Sequence, residues 1–180
     1  MPVLGIDPSL TCTGLALTGS PMTQLHRVTT AAPRSLSLEN TRERIRYIVG
    51  NVLKFAPAEC FTVIEAPVIP QHGAGQVLER AWLFGFLVDQ MMMRGPVVQV
   101  RPKTRAKYAA GNGNAKKPAV LAAMRAMHPA ALIVDDNVAD ALALAGMGAR
   151  HLGAPISGDL SKAQAAAMSA VVWPNRVESK

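Results

Sequence analysis

The stretch Val3-Leu4-Gly5-Ile6-Asp7-Pro8-Ser9 decides the reading of this chain. A short apolar run halted by Pro and Ser is the pattern of a buried strand whose far end reaches the surface. Asp7 then sits at that end. The next run, Cys12-Thr13-Gly14-Leu15-Ala16-Leu17, is near enough to return antiparallel as a hairpin, which would hold Asp7 on a stiff sheet. A carboxylate fixed there is a candidate metal ligand. An Asp before Pro also serves as a turn cap, so partners elsewhere must decide between the two readings.

The same pattern recurs downstream. Gln24 to Thr30 has the Val-Thr-Thr ending of a third strand, and a helix is predicted over Leu38 to Phe55, capped by Ser37 or Ser35 and closed by Pro57. The apolar run Phe61-Thr62-Val63-Ile64 then ends at Glu65, again an acid at a strand tip. If this strand lies parallel to the first, the intervening helix is the right-handed crossover such a pair requires, and Glu65 comes to rest beside Asp7. After a loop over residues 71–75, a helix from Gln76 to Met93 is apolar on nearly all sides. It must be covered on more than one face, by the rest of the domain or by a partner subunit. Val97 to Val100 reads as one more buried strand.

Charge is concentrated in one segment. The chain of 180 residues carries +7, yet between Asp89 and Asp135 there is no acid at all, while Arg94, Arg101, Lys103, Arg105, Lys107, Lys116, Lys117 and Arg125 supply eight positive charges. The eleven Lys and Arg elsewhere fall one short of the twelve acids. A block of one sign is the footprint of a polyanion site, and with no basic amphipathic helix beside it the partner expected is nucleic acid rather than a membrane. Arg101, Lys103, Arg105 and Lys107 alternate, so an extended run would place all four on one face. Gly111-Asn112-Gly113-Asn114 breaks the chain, and Lys116-Lys117 opens a helix through Met127 whose first N–H groups suit a phosphate.

The last informative segment is Asp135-Asp136-Asn137-Val138-Ala139-Asp140 followed by an Ala-rich apolar helix. Asp135 has the position of a cap. Asp140 lies inside the helix among alanines that let it approach the sheet closely, and a carboxylate buried there needs a partner or a cation. Asp136 and Asn137, at i−4 and i−3, share its side.

Length and composition bound the rest. One domain of this size buries about 70% of its unfolded surface, and a hydrophobic content of 49% argues against disorder. No apolar run approaches a membrane span. Met1-Pro2 leads into the first strand without a charged leader or cleavage site, so a soluble, cytoplasmic protein is expected. Cys12 and Cys60 lie in or beside apolar strands and lack ligand-spaced companions, and His26, His72, His128 and His151 are scattered, with no Ser/His/Asp arrangement in view.

Four segments together carry a family resemblance: the Gly-Ile-Asp-Pro strand, the strand ending Ile-Glu, the Gly-x-Gly-x-Ala-x-Lys of Gly111, Gly113, Ala115 and Lys117, and the Ala-Asp-Ala-Leu-Ala of Ala139 to Ala143. In this order they resemble the RuvC family of Holliday-junction resolvases over about residues 3 to 150. The resemblance implies an RNase H-like α/β fold: a mixed five-stranded sheet, its first three strands antiparallel and the rest parallel, with helices on both faces. It implies a nuclease domain over residues 1–153, followed by a tail or helix of unassigned role over 154–180. It further implies a homodimer that makes paired nicks in four-way DNA junctions and other branched DNA. Asp7, Glu65 and Asp140 match family metal ligands, and Lys117 matches a lysine near the scissile phosphate. Arg101, Lys103, Arg105, Lys107, Lys116 and Lys117 are the expected DNA contacts.

Two positions depart from the pattern. Asn137 stands where the family commonly has an acid or His. The fourth ligand is therefore either Asp136, favoured by charge, or Asn137, favoured by register, and Asp136 is the choice carried forward. Where some members place a stacking aromatic after the glutamate, this chain has Ala66-Pro67-Val68-Ile69. Phosphodiester hydrolysis needs an activated water and a stabilised leaving oxygen, which two hard cations ~3.5–4 Å apart supply. Mg²⁺, with Mn²⁺ as substitute, suits an all-oxygen donor set. Two other readings stand beside this one: a DNA-binding or scaffolding protein that keeps the fold without cutting, and an actin-like ATPase or sugar-kinase relative, for which Gly5-Ile6-Asp7 fits but 180 residues are too few.

Overall fold

A computed structural model describes residues 1–19, 22–32, 35, 37–67 and 76–175. The loop expected over 71–75, and Val68 and Ile69, lie outside the described residues.

Three strands come first, β1 (Val3–Asp7), β2 (Cys12–Thr18) and β3 (Gln24–Thr29), then helix α1 (Leu38–Phe55), strand β4 (Phe61–Glu65), helix α2 (Val77–Met92) and strand β5 (Val97–Val100). Helices α3 (Pro102–Ala110), α4 (Lys117–Met127), α5 (Asp136–His151) and α6 (Lys162–Ser169) complete the chain. The sheet order is β3-β2-β1-β4-β5. β1 runs antiparallel to β2 and β2 to β3, whereas β1–β4 and β4–β5 are parallel. The expected mixed sheet is therefore present, with β1 at its centre.

Helices cover both faces, which is why β1 and β4 read as unbroken apolar runs rather than alternating ones. On one face Leu4, Ile6, Leu15 and Ile64 pack with Ile45, Ile48, Val49 and Val52 of α1 and with Leu83, Leu87 and Met91 of α2. On the other, Val3, Ala16, Phe61 and Val63 meet α5, with α3 and α4 outside it. Ser37 caps α1, its Oγ accepting from the Asn40 N–H at 3.2 Å.

The position of α5 is set by glycine. A Cβ on Gly5 would stand 2.0 Å from the Ala141 carbonyl oxygen, and one on Gly14 2.0 Å from that of Asn137. Helix backbone thus lies directly on strand backbone, closer than any side chain would allow. The alanines at 139, 141, 143 and 145 keep the helix equally slim, and all four are fully buried.

One sequence expectation changes in the structure and two readings left open are narrowed. First, residues 101–107 are not extended. Pro102, with its fixed φ and missing N–H, opens α3, and on a helix residues two apart point about 200° apart. Arg101, Lys103, Arg105 and Lys107 therefore do not share a face, and Arg105 turns inward. Second, α2 is not covered all round by the described residues. Leu83, Leu87 and Met91 form the buried stripe, each contributing roughly 1.5–3 kcal/mol, while Leu78, Met92 and Met93 are exposed and Trp82 is partly so. Third, of the tail and the helix left open after residue 153, the helix is present as α6, and the described residues up to 175 pack on the body. Ser161 and Gln164 form a capping box at the start of α6, Gln164 Nε2 donates to the Tyr108 carbonyl at 2.9 Å, and Trp173 stacks on His151 at 4.7 Å between ring centroids. No helix among the described residues is long and apolar enough to cross a membrane.

Candidate active site at the ends of the central strands

Ile6 lies opposite Ile64 in the parallel pair, so the next residue of each strand, Asp7 and Glu65, emerges at one level of the sheet. The turn after Asp7 does not use its carboxylate. Thr13 Oγ1 donates to the Ser9 carbonyl at 2.7 Å and accepts from the Ser9 N–H at 3.1 Å, while Ser9 Oγ accepts from the Thr11 and Cys12 N–H groups. The capping alternative for Asp7 is thereby filled by other residues. From above, α5 brings Asp140, 3% exposed, over the same point.

Asp7, Glu65 and Asp140 line one cavity of about 300 Å³ together with Arg105, Lys117 and Asn137. Burial is the main influence on the first and last of these acids. It holds the Asp7 carboxyl well above its ordinary range, with repulsion from Glu65 and Asp140 adding to it. It pushes Asp140 up to about 7, against the pull of Arg105 and with the help of Glu65. Carboxylates crowded out of water in this way lack positive charge.

Part of that charge comes from Arg105. Its Nε donates to Glu65 Oε2 at 2.8 Å, and a terminal nitrogen stands 2.5 Å from Asp140 Oδ1. Burial works against the guanidinium, but Glu65, Asp140 and Asp7 outweigh it and hold the proton more firmly than usual. The contact to Asp140 is close without being well aimed, for Oδ1 is buried and accepts no properly directed hydrogen bond. An oxygen in that state suits a cation, and an all-oxygen donor set is what Mg²⁺ or Mn²⁺ takes. In chemistry, then, the residues fit a hard divalent ion. In spacing, no three Asp, Glu, His or Cys side chains among the described residues are grouped tightly enough to hold one as they stand.

The acids at the start of α5 divide their work. Asp135 caps the helix, its side chain accepting from the Val138 N–H at 2.9 Å, and pairs with Arg27 at 2.7 Å. Asp136, favoured from the sequence as the fourth ligand, does not line the cavity. It turns aside to pair with Lys117. The hydrogen bond from Lys117 pulls the Asp136 carboxyl below its ordinary range and raises the lysine. Asn137 faces the cavity instead. At 100° per residue, a one-residue step at a helix start changes direction by over a quarter-turn.

The basic segment also divides. The Arg94 guanidinium donates to the carbonyls of Leu53, Ala56 and Pro57, closing the end of α1. Arg125 donates to the Ile133 carbonyl. With Arg105 inside, the surface cations of the segment are Arg101, Lys103, Lys116, Lys117 and Arg125, with Lys107 and Arg94 half-buried. Sequence reasoning missed Arg80, which lines the cavity from α2. Its signal was available: it is the only Lys or Arg between Gln76 and Met93, in a helix otherwise rich in apolar residues.

The chain is similar to known proteins in sequence and in fold. The model of the family described as crossover junction endodeoxyribonuclease RuvC matches residues 3–147. Among solved structures the chain is similar to RuvC of Thermus thermophilus, at 25% identity and a TM-score of 0.59, covering 86% of this chain and 98% of that one. It is likewise similar to T. thermophilus RuvC in complex with a Holliday junction substrate, at 20% identity and 0.59, covering 86% and 97%. No curated protein matches the sequence.

Proposed function

Because the chain belongs to the RuvC family of crossover junction endodeoxyribonucleases, we propose that the cavity between β1, β4 and α5 is where it cuts four-way DNA junctions with the help of divalent cations. The observation that supports this most directly is the meeting of Asp7, Glu65 and Asp140 from three separate elements, with one Asp140 oxygen buried and lacking a directed donor.

In this reading Asp7, Glu65 and Asp140 hold Mg²⁺, two ions in the fully loaded site, with Asn137 as a neutral fourth oxygen donor. Bound there, the ions supply an activated water and charge for the leaving oxygen. The protein's own part is positional. β1 and β4 fix two carboxylates on a rigid sheet, α5 places the third, and burial keeps bulk water from screening them. Lys117, anchored by Asp136, stands at the cavity edge where it offsets charge growing on the phosphate. Arg101, Lys103, Lys107 and Lys116 track the backbone of the DNA arms. Branched DNA, four-way junctions first, is the substrate.

The face of α2 that the described residues leave uncovered supports a homodimer. Leu78, Trp82, Met92 and Met93 present apolar surface to solvent, and a second copy would bury them symmetrically. Two active sites in one particle are what paired nicks on opposite strands require.

The test is to incubate end-labelled four-way junction, flap and linear duplex with Mg²⁺ and map the cuts. Paired nicks in the junction are expected, none without metal. Asp7→Asn is expected to bind the junction in metal-free buffer and leave it uncut. A wild-type protein that binds junctions but never nicks them with Mg²⁺ or Mn²⁺ is a scaffold, and the catalytic reading is then wrong.

A further inference from the structure

Arg105 occupies an unusual position for a residue of a basic segment. It is 8% exposed, and its guanidinium bridges an acid on β4 to an acid on α5. The same packing that buries its α3 neighbours Ala106, Tyr108 and Ala109 against the core turns it inward. What the side chain does is tie Glu65 to Asp140, the task a bound cation would otherwise perform.

The two kinds of cation cannot share these oxygens freely. A divalent ion takes its ligands at about 2.0–2.1 Å, whereas Arg105 already lies at 2.8 Å from Glu65 Oε2 and 2.5 Å from Asp140 Oδ1. An ion coordinated by the same atoms would press against the guanidinium in a site of low dielectric, where like charges repel strongly. The spacing of the acids points the same way. Among the described residues no three are grouped for coordination, and the Arg105 fork is the group that stands between two of them. Its hold is also uneven, directed on Glu65 and misaligned on Asp140, so the Asp140 contact is the easier one to give up.

We propose that Arg105 is a resident counter-cation that a divalent ion must displace from Asp140 and Glu65, and that it thereby sets the metal affinity of the site. It is a positioning residue. In metal-free protein it holds the buried Asp140 and the half-buried Glu65 carboxylates in place, and on loading it swings from them within the cavity it lines. The inference rests on the reading that these acids hold a divalent ion. It goes further in stating that the chain carries its own competitor for that ion.

The decisive measurement is Mn²⁺ binding to the full chain without DNA, followed by the paramagnetic resonance of free Mn²⁺ and by calorimetry, for wild type, Arg105→Gln and Arg105→Lys. Loss of the competitor is expected to tighten Mn²⁺ binding by about tenfold, within the usual range of coupling between two ligands. Lysine, a compact charge without the planar fork, is expected to give a smaller gain. A purely structural ion pair predicts the opposite, since misplaced acids would bind the metal more weakly. Equal or weaker binding by folded Arg105→Gln overturns the proposal. The wild-type protein supplies a readout that needs no variant: the ¹⁵N–¹H signal of the Arg105 Nε–H is expected to move in step with Mg²⁺ saturation. If the signal stays fixed while Mg²⁺ saturates the site, the guanidinium is not displaced and the proposal fails. If neither wild type nor Arg105→Gln takes up Mn²⁺, the metal reading itself is wrong and the proposal falls with it.

Discussion

Gly5→Ala tests whether the closeness of α5 to the sheet makes the site. Gly5 lies on β1 two residues before Asp7, and an added Cβ would stand 2.0 Å from the Ala141 carbonyl oxygen and 2.6 Å from the Ala145 nitrogen. Both are backbone atoms, so no side chain can rotate out of the way. Ordinary contact begins at 3.4 Å, so the helix must retreat from 2.0 to 3.4 Å, about 1.4 Å, beside the residue that follows Asp140. Forcing backbone shifts in a packed core costs about 1–3 kcal/mol, and at 2–4 °C per kcal/mol in a domain of this size the melting temperature should fall by roughly 2–12 °C. Activity should fall further than stability. A misplacement of about 1 Å in a reacting constellation costs on the order of 100-fold in rate, and here Asp140 is drawn away from Asp7 and Glu65. The assay is thermal unfolding alongside junction cleavage at a temperature where the variant is fully folded. Gly50→Ala on α1 is the control: nothing lies within 4 Å of its Cβ, so it should gain up to about 1 kcal/mol from helix propensity and cut normally. If Gly5→Ala melts with wild type and cuts at its rate, the reasoning from backbone contact to site geometry is wrong.

Three further outcomes are expected. Metal-free protein should lose stability as pH rises from about 4 to about 7, because burial lifts Asp140 from 3.8 to about 7 and raises Asp7 as well. The folded form thus holds protons that the unfolded chain has released, an advantage present at low pH and lost on passing the folded value. Denaturation midpoints should fall from pH 5 to 8 and flatten in Asp140→Asn; a midpoint that rises over this span would contradict the burial argument. Across a Mg²⁺ titration Asn137→Ala should need more metal to cut, whereas Asp136→Asn should lose rate through Lys117 with little change in metal requirement; the reverse result would return the fourth donor to Asp136. Junction binding should weaken with salt at a log–log slope of about −0.9 per phosphate neutralised, and Lys103→Ala with Lys107→Ala should flatten it by about one unit per contact removed. An unchanged slope would place the DNA path elsewhere.

Much of this molecule is legible in its sequence because the signals are local. An apolar run ending in an acid, with a proline one or two residues on, needs only its neighbours to be read as a strand with an exposed tip, and it occurs twice, at Asp7 and at Glu65. Pro57 stops α1 and Asp135 caps α5 by interactions within a few residues. The crossover rule then sets the two strands side by side. What the sequence could not decide are contacts made through space. Alternating cations look alike on a strand or a helix, and Pro102 together with the packing of Tyr108 and Ala109 selects the helix that turns Arg105 inward. Arg94 counts as surface charge until the end of α1 supplies carbonyls for it, a pairing of residues 38 apart for Arg94 and Ala56. Asp136 and Asn137 are adjacent in sequence, and each offers a side-chain oxygen. Only the docking of α5 onto Gly5 and Gly14 fixes its rotation about its own axis, and that rotation sends one side chain to Lys117 and the other into the cavity.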